Sequence, residues 1–178
     1  MKTVFSLTAA AMMALSGSVS AASAFSLSSA DIPADFRLTQ QHVFKGFGCS
    51  GENISPQLSW RNPPAGTKSY AITVFDPDAP TGSGWWHWTM VNIPAQIHDL
   101  PTGADKNRVV QGRNDFGYAG FGGACPPPGD KPHRYQFTVW ALNTATLPLD
   151  SEASGALVGF MLNAHVIAKA KFTATYGR

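Results

Sequence analysis

Three short runs of β-branched and aromatic residues, bounded by loops rich in glycine and proline, restrict what this 178-residue chain can fold into. They cover residues 70–75, 87–93 and 134–142. Side chains alternate along a strand, so one face of the third run carries Tyr135, Phe137, Val139 and Ala141. Runs this short and this apolar are typical of central strands buried on both faces. The 17 glycines and 13 prolines also favour turns and short strands over long helices.

The remaining periodic segments predict shorter strands and one late helix. The strand candidates are residues 25–27, 36–38 and 58–60, and a half-exposed strand alternates over residues 169–176. A helix is predicted from about residue 152 to 165, capped by Asp150 and Ser151. Its expected buried stripe is Leu157, Met161, Ala164 and His165. Many strands with one helix predict a mainly-β sandwich rather than a parallel α/β sheet.

The N-terminus explains part of an unusual composition, 44% hydrophobic against 13% charged residues. Lys2 precedes an apolar run, and small residues follow it up to Ala24, which is the pattern of a secretory signal peptide. The interpretation is a signal peptide at residues 1–21, cleaved after Ala21 or alternatively after Ala24, followed by a single domain at 22–178. No apolar run of about 18 residues follows residue 24, so no transmembrane anchor is predicted in the domain.

Export to the periplasm, with or without release from the cell, places Cys49 and Cys125 in an oxidising compartment. An even pair there favours one disulfide, although two buried free thiols remain an alternative because sequence does not give their separation. The net charge of +2, without a basic cluster, disfavours nucleic acid as a partner.

Local motifs give little support to catalysis or to a cofactor. Residues 46–51 match G-x-G-x-x-G, but Pro56 follows and no helical period does, so the segment is interpreted as a loop. There is no G-x-S-x-G elbow, and the five histidines show no metal-ligand spacing. The sequence therefore predicts no catalytic residue, no metal and no cofactor, and a hydrolase is the weakest of the functions considered.

Two segments beside the predicted strands carry more information. The sequence Asp-Pro-Asp-Ala-Pro at 76–80 is stiffened by two prolines, although its aspartates also suit ordinary turn hydrogen bonds. Residues 85–88 place three of the five tryptophans around His87, which is either a core residue or part of a pocket. A glycine-rich loop at 117–123 leads into Cys-Pro-Pro-Pro and then to His133 and Tyr135; its amides can form an anion-binding nest.

Together these motifs resemble the signature of the phosphatidylethanolamine-binding protein family, also called Raf kinase inhibitor-like. The resemblance rests on residues 76–80, 84–88, 125–127 and 133–135. Residues 48–56 and 175–178 are similar to its bacterial YbhB/YbcL branch. It implies a two-sheet antiparallel β-sandwich with a C-terminal helix followed by a closing strand, and a small pocket for an anion such as phosphate or a phospholipid head group.

The resemblance also implies which residues line that pocket: Asp76, Asp78, Pro80, His87, Gly123, Pro126, Pro127, His133 and Tyr135. His87 and His133 are expected to donate to a phosphoryl oxygen, with amides near Gly122 and Gly123 adding donors. The aspartates are expected to orient a histidine or to accept from a ligand ammonium group. Phe121 replaces a tyrosine of the mammalian pocket rim, so one hydroxyl donor is expected to be missing.

Three functions follow in order of support. The first is a non-enzymatic periplasmic protein that binds a phosphate-bearing small molecule or a phospholipid head group. The second is a protein-interaction factor, an inhibitor or a secreted effector, in which the pocket is incidental. The third is the hydrolase. A protein partner and a homodimer are both left open by the sequence.

Overall fold

A central antiparallel sheet of five strands organises the molecule, whose computed structural model describes residues 23–104 and 109–178. The strand order is β10-β9-β5-β6-β8, with a three-stranded sheet β1-β4-β7 and a hairpin β2-β3 beside it. The elements are β1 Ser26–Ser28, a 3₁₀ turn Gln40–His42, β2 Lys45–Gly46, β3 Cys49–Ser50, β4 Leu58–Arg61, β5 Ser69–Asp76, β6 Trp85–Pro94, β7 Asp99–Leu100, β8 Val110–Gln111, β9 His133–Leu142, α1 Gly155–His165 and β10 Val166–Tyr176.

Both faces of the central sheet are buried, which explains why its strands are apolar without a simple alternation. On one face Tyr135, Phe137 and Val139 pack with residues of the small sheet such as Trp60. On the other face Trp140 packs beneath α1. The predicted mainly-β, two-sheet antiparallel fold, with a helix and then a closing strand, is confirmed.

The main strand predictions are confirmed with small extensions, and one short strand is wrong. The three predicted central strands are β5, β6 and β9, and the predicted strand 169–176 lies within β10. The predicted strand 58–60 falls in β4 and the predicted strand 25–27 is displaced by one residue to β1. Residues 36–38 form no strand because Phe36 has a φ of 55°, and only a single bridge joins Arg37 to Thr175.

The helix begins three residues later than predicted, so its buried face differs as well. Ser154 is the cap, and its side chain accepts a hydrogen bond from the Leu157 amide, whereas Asp150 closes a preceding turn by accepting from the Glu152 amide. Gly155 begins the helix against the Trp86 ring, where any larger side chain would collide. The buried residues are Gly155, Val158 and Leu162. The predicted stripe is therefore wrong: Leu157 is 46% exposed and Ala164 is exposed.

The two cysteines form a disulfide, with 6.0 Å between their Cα atoms, which confirms the favoured alternative. It joins the hairpin β2–β3 to the loop before β9. The G-x-G-x-x-G segment is this hairpin with its two-residue turn, as the loop interpretation required. The predicted signal peptide, residues 1–21, lies wholly outside the described residues. Within the described ranges, no helix is long and apolar enough to cross a membrane.

Candidate functional site

The register of the central sheet brings the separated motifs to one end. β5 is antiparallel to both β6 and β9, so the end of β5 lies beside the beginnings of the other two strands. Asp76 pairs with Trp85 across one interface, and Phe75 pairs with Gln136 across the other. The segments 76–80, 85–88 and 133–135 are therefore neighbours in space although they span about 60 residues of sequence.

A cavity of about 190 Å³ opens at this end of the sheet. A dry cavity of about 150 Å³ accommodates benzene, so the space suits one small head group. Seven of the nine predicted ligand-binding residues line it: Asp76, Pro80, His87, Pro126, Pro127, His133 and Tyr135. Ala79, Thr81, Cys125 and three aromatic residues, Phe47, Trp85 and Phe116, complete the lining.

The other two predicted residues do not line the cavity. Asp78 faces Arg134, whose guanidinium and amide donate to its carboxylate at 2.7–2.9 Å, and these hydrogen bonds lower the pKa of Asp78. Gly123 donates its amide hydrogen to the Asn53 side chain at 2.7 Å, and Gly122 donates to the His87 carbonyl at 2.8 Å. The expectation that these glycine amides form a free nest is wrong, because both are already paired.

The floor of the cavity is a buried ion pair. His133 Nδ1 lies 2.7 Å from Asp76, and both side chains are only 4% exposed. Its Nε2 lies 3.3 Å from the half-exposed Asp130, which sequence reasoning missed. Burial opposes the charge on His133, but hydrogen bonds to Asp76 and Asp130 outweigh it, so the pKa of His133 is raised. Asp76 therefore orients a histidine, as the resemblance implied, while its other oxygen accepts the Asp78 amide in a turn.

His87 is arranged differently from His133. Its Nδ1 lies 2.7 Å from the Gly122 carbonyl oxygen. A carbonyl only accepts, so Nδ1 carries the hydrogen and the neutral ring leaves Nε2 as an acceptor. Burial lowers the pKa of His87 despite the Gly122 hydrogen bond and the nearby charge of Asp76. In its neutral form His87 is thus an acceptor toward the cavity rather than the expected donor.

Two of the residues that line the cavity each carry a buried polar atom without a hydrogen-bond partner: the Tyr135 hydroxyl and the Trp85 Nε1. Leaving a buried polar group unpaired costs about 1–3 kcal/mol, so such atoms commonly mark a site that a ligand or water completes. Burial, reinforced by the charge of Asp76, raises the pKa of Tyr135 and keeps its hydroxyl protonated. Trp85 was visible in the tryptophan-rich run, but nothing in its spacing distinguished it from its neighbours.

Three kinds of contact hold the rim of the cavity in place: a disulfide, aromatic packing and hydrogen bonds from Arg178. The disulfide holds Cys125, a lining residue, to the hairpin that carries Phe47, which is 72% exposed. Phe47 and Phe116 both contact the Phe44 ring. Arg178 donates at 2.7 Å to the carbonyls of Pro126 and Gly48. Phe121 is not part of this rim: it is buried edge-on against Trp88, so the missing rim hydroxyl predicted at that position is wrong.

No group of three or more potential metal ligands occurs among residues 23–104 and 109–178. The polar groups available at the cavity are instead one histidine pair, one phenol and one indole. These can bind a small polar ligand inside otherwise apolar walls, which is the usual construction of a small-molecule site.

Comparisons with known proteins identify the class to which this fold and cavity belong. The sequence profile described as Phosphatidylethanolamine-binding protein matches residues 30–177. The chain is 61% identical over 162 residues to the UPF0098 protein YbcL of Escherichia coli (strain K12), covering 87% of this chain and 88% of that protein. It is 51% identical over 146 residues to YbhB of the same organism, covering 79% and 92%.

Solved structures agree with the sequence matches. The crystal structure of Escherichia coli YbcL superposes with a TM-score of 0.84 at 60% identity, covering 86% of this chain and 98% of that chain. A homologue from Chlamydia trachomatis superposes with a TM-score of 0.75 at 30% identity, covering 87% and 98%. The chain belongs to the phosphatidylethanolamine-binding protein family, and it resembles YbcL and YbhB within it.

Proposed function

We propose that the chain is exported to the periplasm and there binds a phosphate-bearing small molecule or head group, without chemical turnover, in the cavity at the end of the central sheet. The observation that carries the proposal is the pair of buried, unpartnered donors, Tyr135 Oη and Trp85 Nε1, in a cavity with otherwise rigid walls. A phosphoryl oxygen would accept from both. Proline and aromatic walls exclude water and strengthen each polar contact.

The charged groups at the cavity floor suit a singly charged anion better than a dianion. The raised pKa of His133 favours its charged form, which Asp76 and Asp130 contact, so the field of that charge at a ligand is partly balanced. Asp76 is the one carboxylate among the described residues that line the cavity, so the ammonium group of a zwitterionic ligand would share it with His133. Phosphoethanolamine is the zwitterionic head group to test, because the family's description points to that chemistry.

The proposal of binding without turnover rests on how the candidate catalytic groups are engaged. Both ring nitrogens of His133 face carboxylates, so its protons are held rather than available for transfer. The Thr81 hydroxyl donates to the Gly84 carbonyl. The raised pKa of Tyr135 makes its phenol a poor nucleophile and a good donor.

Two-dimensional NMR titration of the mature domain with inorganic phosphate and with phosphoethanolamine tests the binding site. Resonances of the cavity segments should shift saturably, and Tyr135→Phe should weaken the affinity about tenfold, since one hydrogen bond to a charged group contributes about 1.5–3 kcal/mol. Tyr176→Phe is the matched control, because Tyr176 pairs with His133 across the strands but does not line the cavity, and its hydroxyl already accepts from Gln40. Equal affinities for the two variants would refute the assignment.

Export is tested separately by expressing the full chain in Escherichia coli and fractionating the cells. We expect the periplasmic fraction to contain a protein that begins at Ala22, or at Phe25 if cleavage follows Ala24. A product that stays in the cytoplasm with Met1 attached would contradict this part of the proposal.

A protein-interaction factor is the second candidate, and the exposed apolar side chains of α1 favour it. Phe160 is 71% exposed and Leu157 is 46% exposed on the outward face of the helix. Affinity capture from a periplasmic extract should then retain a stoichiometric partner that is lost with Phe160→Ser and kept with Tyr135→Phe. The opposite pattern, loss only with the cavity variant, would favour ligand binding as the primary function.

A further inference from the structure

The cavity offers one acceptor as well as donors, and the acceptor is fixed by the backbone. Because the Gly122 carbonyl holds the Nδ1 hydrogen of His87 at 2.7 Å, the tautomer is set and Nε2 is the remaining nitrogen of a ring that lines the cavity. Tyr135 and Phe116 meet this ring edge-on, with centroids 5.1 and 5.5 Å away, and keep it in place. A ligand that completes the site must therefore donate one hydrogen to His87.

The groups around His87 keep it neutral. Burial lowers the pKa of His87 and outweighs four groups that favour its charged form: the backbone of Gly122 and Gly123, Asp76 at the end of β5, and Asp115 in the loop after β8. On β9, Tyr135 contacts the His87 ring and stays protonated, and His133 lines the same cavity with its raised pKa explained by Asp76 and Asp130. The carboxylate of Asp115 is itself engaged, accepting from the Trp86 amide at 2.6 Å.

Two residues that line the same cavity carry unpartnered donors, Tyr135 Oη and Trp85 Nε1. No lysine or arginine is among the residues that line the cavity in the described part of the chain. His133 is the one cation in that lining, and two carboxylates share it. A dianion would lack balancing charge here, whereas a monoanion with at least one hydroxyl and two acceptor oxygens matches both the charge and the available hydrogen-bonding groups.

We propose that the cavity selects the singly charged form of inorganic phosphate (H₂PO₄⁻) or of a phosphomonoester (ROPO₃H⁻), of which one P–OH group donates to His87 Nε2, over a phosphodiester that has no such hydrogen. The inference rests on the proposed anion binding and narrows it: an intact phospholipid, which is a phosphodiester, is a weaker ligand than a free monoester. The remaining phosphoryl oxygens accept from Tyr135 and Trp85.

Methyl phosphate and dimethyl phosphate form a matched pair of probes. Near pH 6 much of the methyl phosphate carries one charge and one P–OH, since the second pKa of a phosphomonoester is about 6, whereas dimethyl phosphate carries the same charge and no such hydrogen. Calorimetric or NMR affinities should favour the methyl phosphate monoanion about tenfold or more. At pH 8, where methyl phosphate is mostly the dianion, this preference should disappear.

The affinity of dimethyl phosphate at each pH reports any change in the protein itself, so the ratio of the two affinities isolates the ligand hydrogen. His87→Phe should reduce the ratio to about one, and His98→Phe, whose ring lies edge-on to Tyr70 away from the cavity, should leave it unchanged. If His87→Phe fails to fold, two measurements on the wild type still test the proposal. The ratio of the two affinities should fall between pH 6 and pH 8, and the ¹⁵N chemical shift of the unprotonated His87 Nε2 should change when methyl phosphate binds.

The outcomes are distinguishable. If methyl phosphate and dimethyl phosphate bind with equal affinity, and Tyr135→Phe weakens both, the preference for a protonated ligand is refuted but the anion site is supported. Binding of neither probe would refute the anion site and the selection together. Phosphate and phosphoethanolamine, titrated in parallel, then show whether free phosphate or a monoester is preferred.

Discussion

Two regions of the central sheet, the face beneath α1 and the cavity at the end of the sheet, each contain a buried indole and a buried hydroxyl group, which can be compared. Beneath α1, the Trp140 Nε1 donates to the buried Thr73 hydroxyl at 2.9 Å, and the surrounding residues are apolar. At the cavity, the Trp85 Nε1 and the Tyr135 hydroxyl are equally buried but unpartnered. Unpaired buried polar atoms are not confined to the cavity, since Thr89 Oγ1 near α1 and Trp60 Nε1 in the core are also unpaired. At the cavity, however, two such atoms belong to residues that line a space large enough for a ligand.

The largest expected effect is at the paired region. Leu162→Ala removes a fully buried side chain of α1, and the resulting cavity should lower the free energy of unfolding by about 2–5 kcal/mol. Because Leu162 lies far from the cavity lining, anion affinity should be unchanged in the folded fraction. Urea unfolding followed by NMR titration measures both quantities.

Leu157→Ala is the matched control on the exposed face of the same helix, with an expected change within about 0.5 kcal/mol. A loss of anion affinity in Leu162→Ala that exceeds its folded fraction would show that the two regions are coupled, and the comparison would fail.

Removal of the disulfide acts on both regions at once. Cys49→Ser with Cys125→Ser opens a loop that spans 76 residues, and such cross-links contribute about 2–4 kcal/mol to stability. Since Cys125 lines the cavity and the bond holds the Phe47 hairpin at its rim, affinity for phosphate should also fall. The wild type under reducing conditions should show the same losses of stability and of phosphate affinity as the double variant. An unchanged phosphate affinity would show that the rim keeps its conformation without the disulfide.

The ion pair at the cavity floor gives stability with a definite dependence on pH. The pKa of His133 is raised in the folded protein above its ordinary value of about 6.5, so its contribution is complete below that pH and is lost as the pH rises through the folded value. Asp76→Asn should remove most of this dependence and cost about 1–3 kcal/mol at pH 6, because the charged partner of a buried imidazolium is lost.

Unfolding curves for Asp76→Asn and the wild type at several pH values above and below 6.5 check this. Asp130→Asn is the informative companion, since Asp130 is half exposed and lies 3.3 Å from Nε2, so its effect should be smaller. A wild-type stability that rises with pH over this range would contradict the assigned direction.

Sequence reasoning succeeded where a local pattern has one structural solution. The β9 alternation predicted the face shared by Tyr135 and Phe137, because a period of two leaves no other arrangement. It failed at α1, where residues on every side of the helix are apolar and periodicity cannot choose the buried face; the contact of Gly155 with Trp86 decides it. The resemblance brought most cavity residues together but missed Phe47 and Phe116 in the lining, and Asp130, which contacts His133 without lining the cavity; the positions of all three depend on loop conformation.

The sequence-based predictions that were wrong in most detail concern which groups donate and which accept hydrogen bonds. His87 was expected to donate a hydrogen bond to the ligand. Its Nδ1 hydrogen instead bonds to the Gly122 carbonyl, so in the neutral ring Nε2 is an acceptor. The glycine amides were expected to be free, yet Asn53 and the His87 carbonyl accept from them. A sequence states which groups are present, but only tertiary packing determines which of them are already paired.

The smallest expected effect is also the sharpest test of the comparison, because two substitutions each delete one buried hydroxyl. Thr73→Val leaves the Trp140 indole unpaired in a closed core and should cost about 1–3 kcal/mol of stability without altering anion affinity. Tyr135→Phe deletes a hydroxyl that has no partner, so stability should stay within about 0.5 kcal/mol or increase, while affinity for phosphate falls. Thermal or urea unfolding without and with saturating phosphate measures both effects in one series. Comparable destabilisation by the two substitutions in the absence of ligand would mean that the Tyr135 hydroxyl is already satisfied in the free protein, and the distinction between the two regions would disappear.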